Sequence, residues 1–161
     1  NSVARAGVYI NLANVRGSQG RYREAITHLS EALRISPYDA NAHNCLGAAL
    51  QQLGQREQAM DEFRRAIRLQ PDHPLAHYNL SLLLAEVGDF DEALPELQTA
   101  RRLLPDSPEI PFKLGVLLIN HGRYQGACAN LTKALRLKPD FEEARQYLRL
   151  CEEKRRNPGA R

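Results

Sequence analysis

Several things are missing from this chain of 161 residues, and each absence closes a class of function. No apolar run approaches the roughly 18–20 residues that a membrane-spanning helix needs. No glycine-rich phosphate loop, nucleophile elbow or metal-binding histidine pattern is present, which leaves the common nucleotide, hydrolase and metal chemistries without a foothold. The three cysteines, Cys45, Cys128 and Cys151, form no C-x-x-C pair, so zinc spacing is absent. An odd, scattered set reads as free, partly buried thiols in a reducing, cytoplasmic setting. The net charge is only +3, and no aromatics are interleaved with the basic residues, so nucleic-acid binding is unsupported. The start, Asn1-Ser2-Val3, is neither a signal peptide nor an initiator Met, and the chain reads as a fragment of something longer.

What is present is a ladder. Prolines stand at Pro37, Pro71, Pro105 and Pro139, each 34 residues from the next. Glycines keep the same step at Gly20, Gly54, Gly88 and Gly122. So do alanines at Ala25, Ala59, Ala93 and Ala127, and again at Ala32, Ala66, Ala100 and Ala134. A fixed period of 34 marks a stacked helix-turn-helix array. With each Pro numbered position 32, the repeats are 6–39, 40–73, 74–107 and 108–141. A lone capping helix over 142–156 and a tail over 157–161 follow, in a single repeat domain. Nine helices and no strand are expected.

The repeat explains itself physically. Apolar residues at helical spacing, such as Leu46, Ala49, Leu50 and Leu53, make helix A amphipathic. The Gly at position 15 ends it in a left-handed residue. Helix B then runs to the Pro, which stops it. Small residues at position 8 (Ala13, Gly47, Ser81, Gly115), with the alanines at positions 20 and 27, let the two helices approach closely. Leu29, Phe63, Leu97 and Leu131 are expected to fill the seam to the next repeat. Pro95 is expected to kink the third helix B. Ser107 is expected to cap the fourth helix A, ahead of Pro108 and Pro111. Val3, Ala6 and Val8 read as ready to meet another element. The sequons at Asn79 and Asn130 fall in predicted helices and read as chance matches.

The pattern resembles the tetratricopeptide repeat family, most closely in the second unit: Leu46-Gly47, Leu50, Gly54, Ala59, Phe63, Ala66 and Pro71. The resemblance spans about residues 6–156 and implies a right-handed α-solenoid of antiparallel helix pairs. It also implies that helix A lines a concave groove, with positions 2, 5, 9 and 12 facing into it. Helix A is the unusual side in charge as well, since Ala40 to Leu53 and Pro74 to Ala85 contain no Asp, Glu, Lys or Arg.

The resemblance assigns a peptide-binding groove. Asn11, Asn14, Asn44, Gln51 and Asn79 would meet backbone amides. Tyr78, Leu82, Phe112, Val116 and Ile119 would form an exposed apolar row. Position 6 carries Asn11, Cys45, Asn79 and Lys113; in the O-linked N-acetylglucosamine transferase branch an Asn there grips peptide backbone, so half of that ladder is present. The clamp that co-chaperones use on C-terminal carboxylates is matched only by Asn14. Arg34, Arg68, Arg102 and Arg136 form a further ladder that reads as a solvated outer face. His73 and His77, spaced i, i+4, lack a third metal ligand, and His43 and His77 read as packing residues with one hydrogen bond each.

The expected function is a non-catalytic module that binds a protein or peptide segment, with no cofactor, no metal, no nucleic acid and no membrane insertion. The alternatives are the substrate-selecting repeats of a larger enzyme, such as a glycosyltransferase, and a self-associating scaffold.

Overall fold

A computed structural model describes residues 2–156. Among these it has nine helices and no strand: α1 (Ser2–Ser18), α2 (Tyr22–Ile35), α3 (Ala40–Gln52), α4 (Arg56–Leu69), α5 (Pro74–Glu86), α6 (Phe90–Leu103), α7 (Glu109–Asn120), α8 (Tyr124–Leu137) and α9 (Glu142–Arg156). The chain divides between Leu83 and Leu84 into two compact units.

In the first unit, α1 pairs with α2 and α3 with α4, while α2 also packs on α3. The close approach is made by small residues. Ala13 and Ala25 are each 2% exposed. A Cβ added to Gly47 would come within 2.7 Å of the Phe63 ring. Ala66 and Ile67 of α4 pack against Ala76 of α5. In the second unit α7 pairs with α8, and α6 and α9 pack around them. A Cβ on Gly115 would lie 2.6 Å from Leu131 Cγ. Phe63 and Leu131 therefore fill the contact within their own helix pairs. Leu29 and Leu131 also reach the seam to the element that follows: Leu29 shares a cluster with Ala42 and Ala49 of α3, and Leu131 with Ala144 and Cys151 of α9.

Each A-to-B turn rests on one backbone requirement. Gly20, Gly54, Gly88 and Gly122 have φ of 75°, 76°, 83° and 68°, a region that costs other L-residues about 1–2 kcal/mol. Helix starts are capped where the sequence supplies an acceptor. Asp39 Oδ1 accepts from the Ala42 N–H at 2.9 Å, and Asp89 Oδ1 from the Glu92 N–H at 3.1 Å. Ser107 does not cap α7, contrary to expectation. Its hydroxyl donates instead to the Glu109 carboxylate at 2.8 Å, and no side chain caps that helix. The α6 helix is continuous through the exposed Pro95.

The cysteine expectation is corrected too. Cys128 and Cys151 form a disulfide, their Cα atoms 5.8 Å apart. They are 23 residues apart in sequence, but the packing of α9 on α8 brings them together. Cys45 is left as the free thiol.

Candidate functional site

Helices α1, α2 and α3 of the first unit form an open cavity of about 250 Å³. It is lined by the apolar Ala13, Gly17, Ala25, Leu29, Ala48 and Ala49 and by the neutral polar Asn14, Tyr22, Asn44, Cys45 and Gln52. This lining follows from the repeat pattern, since small residues at the A–B contact leave room beside them. No lining residue carries a charge. Two side-chain bonds tie neighbouring A helices around it. The Cys45 thiol donates to Asn14 Oδ1 at 3.6 Å, and Asn79 Nδ2 donates to Asn44 Oδ1 at 3.1 Å. Burial, reinforced by the Asp39 carboxylate, holds the Cys45 thiol above its ordinary value of 9.0.

Of the sequence-assigned residues, Asn14 and Asn44 line this cavity. Asn44 is 7% exposed and its Oδ1 is engaged by Asn79, so it is not the open contact that its helical position suggested. Asn11 is exposed, Gln51 half-buried, and neither lines the cavity. Gln52 and Tyr22 do, although neither falls on the helix face that the repeat register assigns to the groove. Tyr78 and Leu82 sit half-buried on α5.

The expected exposed apolar row is not exposed. In the second unit Phe112 is 4% exposed. Its ring lies 4.8 Å from that of Phe141 and 5.6 Å from that of Tyr147, centroid to centroid. The start of the capping helix thus covers the side chain assigned to a ligand. Val116 and Ile119 are half-buried against the same cluster. Lys113 Nζ lies 5.5 Å from the Phe112 ring centroid, within cation–π range. The aromatic pair Phe141 and Tyr147 flanking the cap was the signal in the sequence that could have revealed this.

The histidines are held in place. His43 Nε2 donates to the Pro37 carbonyl at 3.1 Å and its Nδ1 meets Glu62 at 2.6 Å. His77 Nε2 donates to the Pro71 carbonyl at 2.8 Å. His73 Nδ1 accepts from the Ala76 N–H, and Nε2 donates to Asn41 Oδ1 at 3.0 Å. Burial pushes the His73 pKa below its ordinary 6.5. Among the described residues no group of three His, Cys, Asp or Glu side chains is placed to hold a metal ion. Arg34, Arg68, Arg102 and Arg136 are exposed and each lies in the last turn of its B helix. A cation there complements the helix dipole, which accounts for the ladder without a ligand. Among the described residues no helix is long and apolar enough to cross a membrane.

The fold and its cavity define a class: an all-α solenoid of antiparallel helix pairs. Residues 46–108 and 78–140 match the tetratricopeptide repeat family, and residues 13–54 match a second family of such repeats. The chain belongs to the tetratricopeptide repeat family, whose members are protein–protein interaction modules. No curated protein matches its sequence. Solved structures do. A crystal structure of MamA protein is 21% identical over 94% of this chain and 82% of its own, with a TM-score of 0.84. MamA from residue 41 onward, from Desulfovibrio magneticus RS-1, is 24% identical over 95% and 86%, with a TM-score of 0.85. YrrB, a TPR protein with an unusual peptide-binding site, is 24% identical over 94% and 78%, with a TM-score of 0.80. At these identities the likeness is one of fold.

Proposed function

We propose that the chain is a non-catalytic module that binds an extended segment of another protein along the A helices of its first unit, with an uncharged side chain of that segment seated in the cavity. The observation that carries the reading is the cavity itself: a lining of mostly small apolar residues with neutral polar groups among them and no charge. Small-molecule and peptide sites share this build, with an apolar body and a few polar groups that fix orientation. Asn44, buried and bonded to Asn79, holds the wall of the cavity, while the exposed Asn14 on α1 supplies an amide to meet a peptide carbonyl. Asn11, Gln51, Tyr78 and Leu82 extend the surface on the same set of helices. Phe112, Val116, Ile119 and Lys113 belong to a separate apolar cluster and are not needed for this reading. YrrB shares the fold and has a peptide-binding site, which agrees with it.

Selection of random peptides displayed on phage tests the proposal. The full chain should enrich peptides with an uncharged apolar residue at a fixed place. Ala48→Phe, which fills the cavity from a half-buried position, should lose them while its melting temperature stays close to that of the parent. Selected peptides that bind Ala48→Phe as well as the parent would remove the cavity from the site.

A further inference from the structure

The turn between α2 and α3 carries a second recess, of about 290 Å³. It is lined by Pro37, Tyr38 and His43 and, from the end of α4, by Arg65, Arg68 and Leu69. It shares no residue with the neutral cavity. It lies among helices already packed on one another, α2 on α3 and α3 on α4, so it is not a face left by a missing repeat. Its frame is fixed. His43 is buried and bonded to the Pro37 carbonyl and to Glu62 Oε2. Glu62 Oε1 accepts from Arg65 Nη1 at 3.0 Å, so both oxygens of that carboxylate are engaged. Asp39, next to Tyr38 in the chain, caps α3. The Arg68 guanidinium and the Tyr38 hydroxyl meet no partner among the described residues.

Tyr38 is the anomaly of this turn, and it is 84% exposed. The same place, directly after the proline, carries Asp72, Asp106 and Asp140 in the three later turns. The place of Arg68 carries Arg102 and Arg136 in the repeats that follow. The helix dipole accounts for an Arg at the end of each B helix. It does not account for a Tyr where the other turns have an acid. The first turn thus keeps the cation, lacks the carboxylate and sets an aromatic ring in its place. We infer that the recess binds an acidic segment of another protein, with a carboxylate held by Arg65 and Arg68 and the apolar side chain beside it laid against Tyr38 and Leu69. Guanidinium groups take carboxylates through paired N–H bonds, and two arginines with no acid in the lining select that sign of charge. Solvated ion pairs are weak one by one. The exposed ring therefore decides the ligand, favouring an acid with an aromatic neighbour over a bare anion.

The probe is acetyl-Asp-Phe-amide, titrated against the full chain while NMR follows the Nε–Hε signals of Arg65 and Arg68 and the ring signals of Tyr38. These should shift together and saturate. Acetyl-Asn-Phe-amide should bind roughly tenfold or more weakly, and added salt should weaken the acidic probe. Tyr38→Asp gives this turn the acid of the later ones and should abolish the shifts at Arg68. The melting temperature should hold, since the side chain is exposed. Arg68→Gln should weaken the probe. Ala48→Phe should leave its binding unchanged, which separates this recess from the proposed peptide site. Undiminished binding by Tyr38→Asp, or equal binding of the Asn peptide, would overturn the inference. Shifts of the same size from acetate or inorganic phosphate would do so too, reducing the recess to an adventitious ion only. So would shifts at Arg102 as large as those at Arg68, or the same shifts on concentrating the chain alone, which would give the recess to a second copy.

Discussion

His77 Nε2 donates to the Pro71 carbonyl across 2.8 Å. One repeat earlier His43 makes the same bond to Pro37, at 3.1 Å. In the last helix Arg145 Nη2 reaches the Pro139 carbonyl at 2.7 Å. The proline that stops helix B thus leaves a carbonyl that the fourth residue of the following helix A satisfies. In the fourth repeat that position is Pro111, which has no side-chain donor to offer Pro105. His43, His77 and Arg145 are the residues that give this bond.

Removing that bond should be measurable. His77→Leu should lower stability in urea by about 0.5–1.5 kcal/mol, the net worth of a typical hydrogen bond. His77→Gln, which can still donate, should recover part of it. Equal losses would show that packing, not the bond, holds the turn.

The A–B contact is tighter. Gly115→Ala should cost about 1–3 kcal/mol, because its Cβ would meet Leu131 and overpacking has that range. Gly54→Ala should cost about 1–2 kcal/mol for a different reason, its positive φ. Arg68→Ala, on the solvated side, should change stability by less than about 0.5 kcal/mol. Chemical denaturation of the three variants ranks them, and an Arg68 effect equal to that of Gly115 would reverse the faces.

The period made the helices, their ends and the small-residue contacts readable, because each depends on residues near in sequence. The candidate site was less readable. Phe112 has the right helical position for a groove, but what covers it, Phe141 and Tyr147, comes from outside its own helix pair. Asn44 likewise looks open on its own helix, and only Asn79 of the next repeat closes it. Gln52 escapes the pattern because the cavity opens toward the C-terminal end of α3, one residue beyond the predicted face. Cys128 and Cys151 are separated by a whole turn and helix, and spacing alone cannot pair such residues.

The disulfide should matter to the cap. Closing a loop of 23 residues is worth about 3 kcal/mol in the chain-entropy account. Dithiothreitol should therefore lower the melting temperature, and a thiol assay on the unfolded, unreduced chain should count one group. Three groups would mean that the cap is held by packing alone, as it would be in a glutathione-rich compartment.

Cys45 should react slowly. Its thiol is held above 9.0, and the thiolate is the reactive form. Alkylation by iodoacetamide at neutral pH should lag behind that of an exposed peptide cysteine and accelerate as pH rises through 9. Once modified, the chain should lose the peptides selected on the parent, since the added group occupies the cavity. Unaltered binding after complete modification would place those peptides elsewhere.

His73 should tie stability to acidity. Neutral, it caps α5 by accepting from the Ala76 N–H while donating to Asn41. Protonation would point a second donor at that N–H. Its folded pKa lies below the 6.5 of the free side chain, so the unfolded state takes up the proton first. The contribution is full above 6.5 and is lost as pH falls below it, toward the folded value. His73→Asn, which can still cap, should show a smaller fall in melting temperature between about pH 8 and pH 5 than the parent. Matching slopes would exclude His73 as the origin.

The neutral wall of the cavity also fixes how a ligand arrives. With no charge to steer the encounter, association should run at about 10⁵–10⁶ M⁻¹s⁻¹, the range of unsteered docking. Selectivity among ligands would then be expressed in how long each one stays. Raising the ionic strength should leave both rates nearly untouched.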